Sequence, residues 1–187
     1  MEMSDMRPQD RHDPGGRVRL ALPDGMAGDA RFSPCGHYRY AMSRDWTPPG
    51  TEARTILWCG MNPSTADASV NDPTCNREVV FSRDWGFTRY LKVNMLGWRA
   101  TRPADLPSDP ETACGPDNLA IILEMARESE IVIAAYGRLP KRYHGIIDAT
   151  LGALRDHGSM LFCLGTNKDG SAKHPLYLPR IAERQPF

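Results

Sequence analysis

Three polar side chains stand where an alternating chain of strands and helices would present a ligand site. Asn62 lies in the loop Gly60-Met-Asn-Pro-Ser-Thr-Ala-Asp67, directly after the short apolar run 55–59 (TILWC). Gly60 lets the backbone leave a strand sharply, and Asn62-Pro63 forms a rigid turn that projects a carboxamide. Asn-Pro and Ser-Thr are also ordinary turn chemistry, so Ser64 and its neighbours read either way. Asn94 interrupts a second apolar run, Leu91-Lys-Val-Asn-Met-Leu96. An amide there needs partners, or its burial costs on the order of 1–3 kcal/mol. It serves either a neighbouring loop or a ligand with both donors and acceptors, such as a nucleobase. His174 stands in Gly165-Thr-Asn-Lys-Asp-Gly-Ser-Ala-Lys-His-Pro175, after the last apolar run. A histidine in a loop there is a candidate general acid or anion stabiliser, or simply a surface residue.

Other chemistries fit less well. Asp67, Asp72, His174 and Cys59 have no metal-ligand spacing. Asp72 is better explained as a helix N-cap, and Cys59 and Cys163 as buried strand residues. A G-x-S-x-G elbow, a G-x-x-x-x-G-K-[ST] loop and a G-x-G-x-x-G loop are all absent, which argues against a serine nucleophile and the common phosphate loops. No metal and no redox cofactor is expected.

The elements that position these residues follow from periodicity. Four apolar runs, 55–59, 91–96, 131–136 and 160–164, alternate with helical stretches. Asp72-Pro73 gives an N-cap and a proline at the first helical position, for a helix to about residue 84. Gly115-Pro116 is expected to open a second helix to about residue 128. A third runs over about 142–156 and closes at Gly158. Alternation of this kind argues for a mostly parallel sheet with helices on both faces. Gly60, Asn94, Gly137 and Gly165 fall at the carboxyl ends of the strands, where open α/β sheets bind ligands. Upstream, Ser33-Pro-Cys-Gly is a turn signal, and Tyr38, Tyr40 and Met42 alternate with Arg39, Ala41 and Ser43, which predicts a β-hairpin over 30–46. Residues 1–29 are polar and lack apolar periodicity, so they are expected to form a mobile arm before a single domain over 30–187.

Composition bounds the rest. The chain has 187 residues, 41% hydrophobic and 25% charged, which suits one globular domain. Lys+Arg 23 against Asp+Glu 23 excludes a polybasic, DNA-coating chain but leaves room for a local basic groove. Five cysteines, none in a C-x-x-C pair, support neither a disulfide framework nor a zinc ribbon. No apolar run approaches the roughly 20 residues of a membrane span, and the first residues carry no apolar signal core. No membrane association and a cytoplasmic location are expected.

Taken together, the loops resemble the uracil-DNA glycosylase superfamily. Gly60-Met-Asn-Pro63 is similar to its G-x-[DNA]-P motif, and His174-Pro-Leu176 to its H-P-S motif, with Leu176 in place of the serine. Val93-Asn94 resembles the strand whose Asn binds the base, and Tyr136-Gly137 a third-strand Trp-Gly. A second resemblance covers about residues 30–180. Tyr38-Arg-Tyr40, Arg44-Asp-Trp46, Asn62-Pro-Ser-Thr-Ala-Asp67, Asn71-Asp-Pro-Thr74, Asn94 with Arg99-Ala-Thr101, and His174-Pro-Leu-Tyr177 look like the domain of unknown function 1643 family of bacteria and phages.

The glycosylase resemblance implies a three-layer α/β/α sandwich around a mostly parallel four-stranded sheet, preceded by the hairpin. It implies a nucleobase-directed enzyme that cleaves an N-glycosidic bond in nucleic acid or a nucleotide. Asn62 would hold a water, His174 would stabilise the departing base and Asn94 would read its edge. Gly60, Met61, Pro63 and Ser64 would line the site, and Arg99 and Lys173 would pair with phosphate. The alternatives are a non-catalytic nucleotide or modified-base binding module, and a nucleotide-modification enzyme on the same fold.

Overall fold

A computed structural model describes residues 19–187. Its elements are β1 (Leu20–Ala21), β2 (Ala27–Phe32), β3 (Arg39–Asp45), β4 (Thr55–Gly60), β5 (Val70–Asn71), α1 (Pro73–Asp84), β6 (Arg89–Asn94), α2 (Pro110–Cys114), α3 (Asn118–Arg127), β7 (Ile131–Ala134), α4 (His144–Asp156), β8 (Leu161–Cys163) and β9 (Gln185–Pro186). The fold is α/β, built on a mixed seven-stranded sheet in the order β2-β3-β6-β4-β7-β8-β9.

The four expected strands form the parallel middle of that sheet, β6-β4-β7-β8. The sheet is wider than the expected four strands because both edges are covered. The β2–β3 hairpin adds antiparallel to β6, with Met42 opposite Lys92. On the far side β9 adds antiparallel to β8. Such coverage shields strand edges that would otherwise expose unpaired backbone groups.

β4 sits between β6 and β7 and is buried along its whole length. A strand covered on both faces needs a continuous apolar run rather than alternation. Its residues divide by parity between two cores. Leu57 and Cys59 pack with Ile121 and Ile122 of α3 and with Ile147 and Leu151 of α4. Ile56 and Trp58 pack with Cys75, Val79 and Phe81 of α1. The Trp58 indole N–H is satisfied by Ser82 Oγ at 2.9 Å.

α1 starts as its sequence predicts. The Asp72 carboxylate accepts from the Cys75 N–H at 2.8 Å, and Pro73 takes the first helical position. The helix expected from Gly115-Pro116 is α3, and a short helix that was not expected, α2, precedes it. Asp109 caps α2 by accepting from the Thr112 N–H at 2.8 Å. Gly115, at φ +87°, ends α2 in a backbone region that favours glycine, and α3 starts three residues later.

The expected arm over 1–29 also changes. Residues 1–18 lie outside the described residues. From Leu20 the chain already belongs to the domain. β1 pairs with β5, β2 starts at Ala27, and Met26 is buried in the α1-side core. A few apolar residues are enough here because the segment pairs with strands that the domain already presents.

Candidate active site

The loop after β4 runs beside the continuation of β6 and is stitched to it. The Met95 N–H donates to Gly60 O, Leu96 N–H to Met61 O and Ala100 N–H to Pro63 O, each at 2.9 Å. The Asn62 side chain joins this ladder. Its Nδ2 donates to Ala100 O at 2.7 Å and to Pro63 O at 3.0 Å. Both amide hydrogens are therefore engaged by backbone, and Oδ1 is the acceptor left to meet a ligand or water.

On β6 the side chains of Tyr90, Lys92 and Asn94 share the face toward α1, two residues apart. Asn94 is 2% exposed, and its Nδ2 has no hydrogen-bond partner among the described residues. Lys92 Nζ donates to Glu78 Oε1 of α1 at 2.7 Å, and the Tyr90 hydroxyl donates to Glu78 Oε2 at 2.7 Å. Burial pushes the Glu78 carboxyl up, with Lys92 pulling the other way. Burial also opposes the Lys92 charge, but the attraction of Glu78 outweighs it and holds the ammonium above its usual range. Gly60 makes room for this pair of heads. A Cβ there would stand 2.5 Å from Lys92 Nζ and 2.8 Å from Asn94 Oδ1.

His174 enters from the C-terminal loop. It precedes a 3-10 turn over Pro175–Tyr177, and its Nδ1 accepts from the Leu176 N–H at 3.4 Å. The turn rests on α1, where Arg77 donates to Leu178 O at 2.6 Å. Gly137, at φ +69°, backs the ring: a Cβ there would lie 3.3 Å from the His174 Cβ.

These three segments meet around one cavity of about 230 Å³ at the carboxyl ends of β4 and β6. Asn62, Asn94 and His174 all line it, with Gly60, Met61 and Ser64. So do four groups that the sequence reading left out of the site: Arg39, Lys92, Asp72 and Cys75. Lys92 was legible as the alternation partner of Asn94 in an apolar strand. Glu78 was legible as a charge on the buried stripe of α1 that also carries Cys75, Val79 and Ser82.

Three expected residues do not line the cavity. Pro63 is buried and supports the ladder through its carbonyl. Arg99 is turned to the hairpin, donating from Nη1 to Gly36 O at 3.3 Å and lying over the Phe32 ring. Lys173 folds its side chain back over Gly165. Arg99 is thus engaged by the hairpin, and the Lys173 side chain lies against Gly165 rather than on the cavity lining.

The electrostatics select among roles. The His174 imidazole is pushed down to about 4, first by burial and then by the Lys92 charge, against an opposing pull from Asp72. It is neutral at pH 7, and with Nδ1 accepting, its proton sits on Nε2. Burial pushes the Cys75 thiol up to about 12, so this cavity-lining cysteine is no thiolate nucleophile at neutral pH. Among the described residues, no group of three or more His, Cys, Asp or Glu is placed to hold a metal ion. No helix of the described residues is long and apolar enough to cross a membrane.

The His174 shift has a measurable sign. Its folded value lies below the unfolded value of 6.5, so the unfolded chain binds the proton first. The contribution to stability is complete above pH 6.5 and is lost as pH falls toward 4. Because the ring is partly screened by solvent, the loss is expected to be on the order of 1–2 kcal/mol. Urea melts between pH 7 and pH 4 read it as a slope that His174→Gln removes. Identical slopes in the two proteins would show that the ring is not desolvated.

A family model described as "Protein of unknown function (DUF1643)" matches residues 39–176. The chain belongs to that family. The match opens at Arg39 and closes at Leu176, both of which line the cavity, so the DUF1643 region contains the whole site. No curated protein and no solved structure matches the chain.

Proposed function

We propose that the cavity binds a nucleobase and that the protein cleaves its N-glycosidic bond, in nucleic acid or in a nucleotide. The observation that carries this reading is the convergence of Asn62, Asn94 and His174 on one cavity, with the Asn94 amide nitrogen buried and without a partner among the described residues. A buried donor without a partner is costly, and a ligand acceptor would relieve it.

The roles follow from what each side chain has left to offer. Asn94 donates to an acceptor on the base edge. The neutral His174 donates from Nε2 to the base as negative charge develops on it, and the nearby Lys92 charge favours the same anion. Asn62 Oδ1 holds a water against the sugar. The C1′–N bond breaks with its electron pair moving to the base, and the water oxygen bonds to C1′. One water proton ends on the base nitrogen, so the products are free base and a sugar with an anomeric hydroxyl. Asn62 is an amide and takes no proton. Among the described residues Asp72 is the one carboxylate lining the cavity, and it is the local group suited to relay it.

The four parallel strands, the Gly60–Pro63 loop after the first of them and His174 after the last support a glycosylase-like three-layer arrangement. A nucleobase ligand and five free thiols fit a cytoplasmic protein. The second reading, a binding module without catalysis, draws on Asn62, whose amide nitrogen is fully engaged by backbone carbonyls in a way that a purely structural turn would also use.

Product separates the two. The protein is incubated with DNA, RNA and nucleotides carrying varied bases, and the mixtures are examined by mass spectrometry. Free base or an abasic site is the expected result. Tight binding with every substrate intact would establish the binding module instead.

A further inference from the structure

We infer that the cavity also holds an anion subsite, built from Arg39 and the first turn of α1, and that it takes the phosphate of a nucleotide. The inference deepens the nucleobase reading and rests on it for the kind of phosphate that is bound.

Arg39 opens β3 at the edge where β4 and β6 finish, since its N–H donates to Gly97 O and Met42, three residues on, lies opposite Lys92. It is 1% exposed and lines the cavity. Its Nη1 donates to Ala66 O, while its Nε has no hydrogen-bond partner among the described residues. No carboxylate lies within ion-pair distance of it among those residues. A buried guanidinium normally has a bidentate acid or a full set of carbonyls.

Its neighbour Arg44 shows the contrast. That side chain donates to Asn71 Oδ1 and to the carbonyls of Ser43, Asp67 and Val70, and it holds the loop before α1. Arg39 has one such contact and faces the cavity with a fork still open.

Among the other charges on the cavity, Asp72 opposes it and Lys92 adds to it. Lys92 is matched by Glu78. One Asp72 oxygen is occupied by the Cys75 N–H of the α1 cap. Pro73, Thr74 and Cys75 put the positive end of the 12-residue α1 on the same cavity. A helix N-terminus beside an open guanidinium is suited to a phosphate monoester, which offers several acceptor oxygens and close to two negative charges.

The test is calorimetric titration of the wild-type protein with inorganic phosphate, with nucleosides and with their 5′-monophosphates. Phosphate is expected to bind and to compete with the nucleotides. Nucleotides are expected to bind at least about tenfold more tightly than the matching nucleosides, the scale of one or two charge-assisted hydrogen bonds. Arg39→Met, checked by its thermal melt, should abolish phosphate binding and erase the nucleotide preference, and Arg39→Lys should keep part of both. Equal affinity for nucleosides and nucleotides in the wild-type protein, or no phosphate binding, overturns the inference without the need for any variant. Phosphate preference that persists in folded Arg39→Met also overturns it. Phosphate binding through Arg39 with no added affinity from any base would keep the subsite and remove the nucleobase reading.

Discussion

Lys92→Met is expected to cost about 3–5 kcal/mol of folding stability, the range for removing one partner of a buried ion pair. Glu78 is fully buried on α1, and its two oxygens are served by Lys92 and by the Tyr90 hydroxyl. Taking away the ammonium leaves a carboxylate with one neutral donor, or forces it to take up a proton. The second variant in the test is Lys92→Met with Glu78→Leu. An apolar pair of similar size is expected to recover part of the loss, because desolvation of both charges is removed together while the Tyr90 hydroxyl loses its acceptor. Urea denaturation of the single and double variants reads the difference. A single variant within about 1 kcal/mol of wild type would show that water reaches the pair and that the cavity floor is not dry.

Asn62→Ala and His174→Ala are each expected to lower base release by about a hundredfold or more, the scale of losing a positioned donor or a held water. Their cost in stability should be small for His174, which makes one long backbone contact. It should be somewhat larger for Asn62, which ties the β4 loop to Ala100. Asn94→Ala corrects an expectation drawn from the sequence. A strand-embedded amide is expected there to leave partners unpaired when removed, at about 1–3 kcal/mol. Its Nδ2 has no partner to lose, so the variant should fold nearly as well as wild type and fail in ligand binding. Paired melts and release assays on the three variants check this. Intact release per folded molecule would make Asn62 and His174 turn-formers.

Much of this architecture can be read in the chain because local and tertiary signals agree. The parallel strands carry unbroken apolar runs, and Asp72-Pro73 states where α1 begins. Asp109-Pro110 carries the same capping signature for α2, but five residues are too few to show a helical period. β1, β5 and β9 are two residues long, and no local pattern marks them. β9 forms where β8 offers an unpaired edge, and β1 and β5 pair with each other in a separate two-stranded sheet. The site divides in the same way. Asn62, Asn94 and His174 stand out as polar residues at strand ends. Arg39 reads as one more residue of an alternating hairpin until the sheet order carries β3 to the edge beside β6. Arg99 and Lys173 look like phosphate ligands from charge alone. Arg99 donates to Gly36 O and the Lys173 side chain lies against Gly165, placements that only the folded chain brings about.

Hydrolysis at the anomeric carbon is read by following the oxygen. The protein is incubated in ¹⁸O-water with the nucleotide or oligonucleotide it binds best, and the products are weighed by mass spectrometry. Free base without label, a sugar product carrying one ¹⁸O at its anomeric carbon, and loss of both with Asn62→Ala are expected. An intact, unlabelled ligand recovered from a saturated complex, or label in the base, would contradict hydrolysis at that carbon.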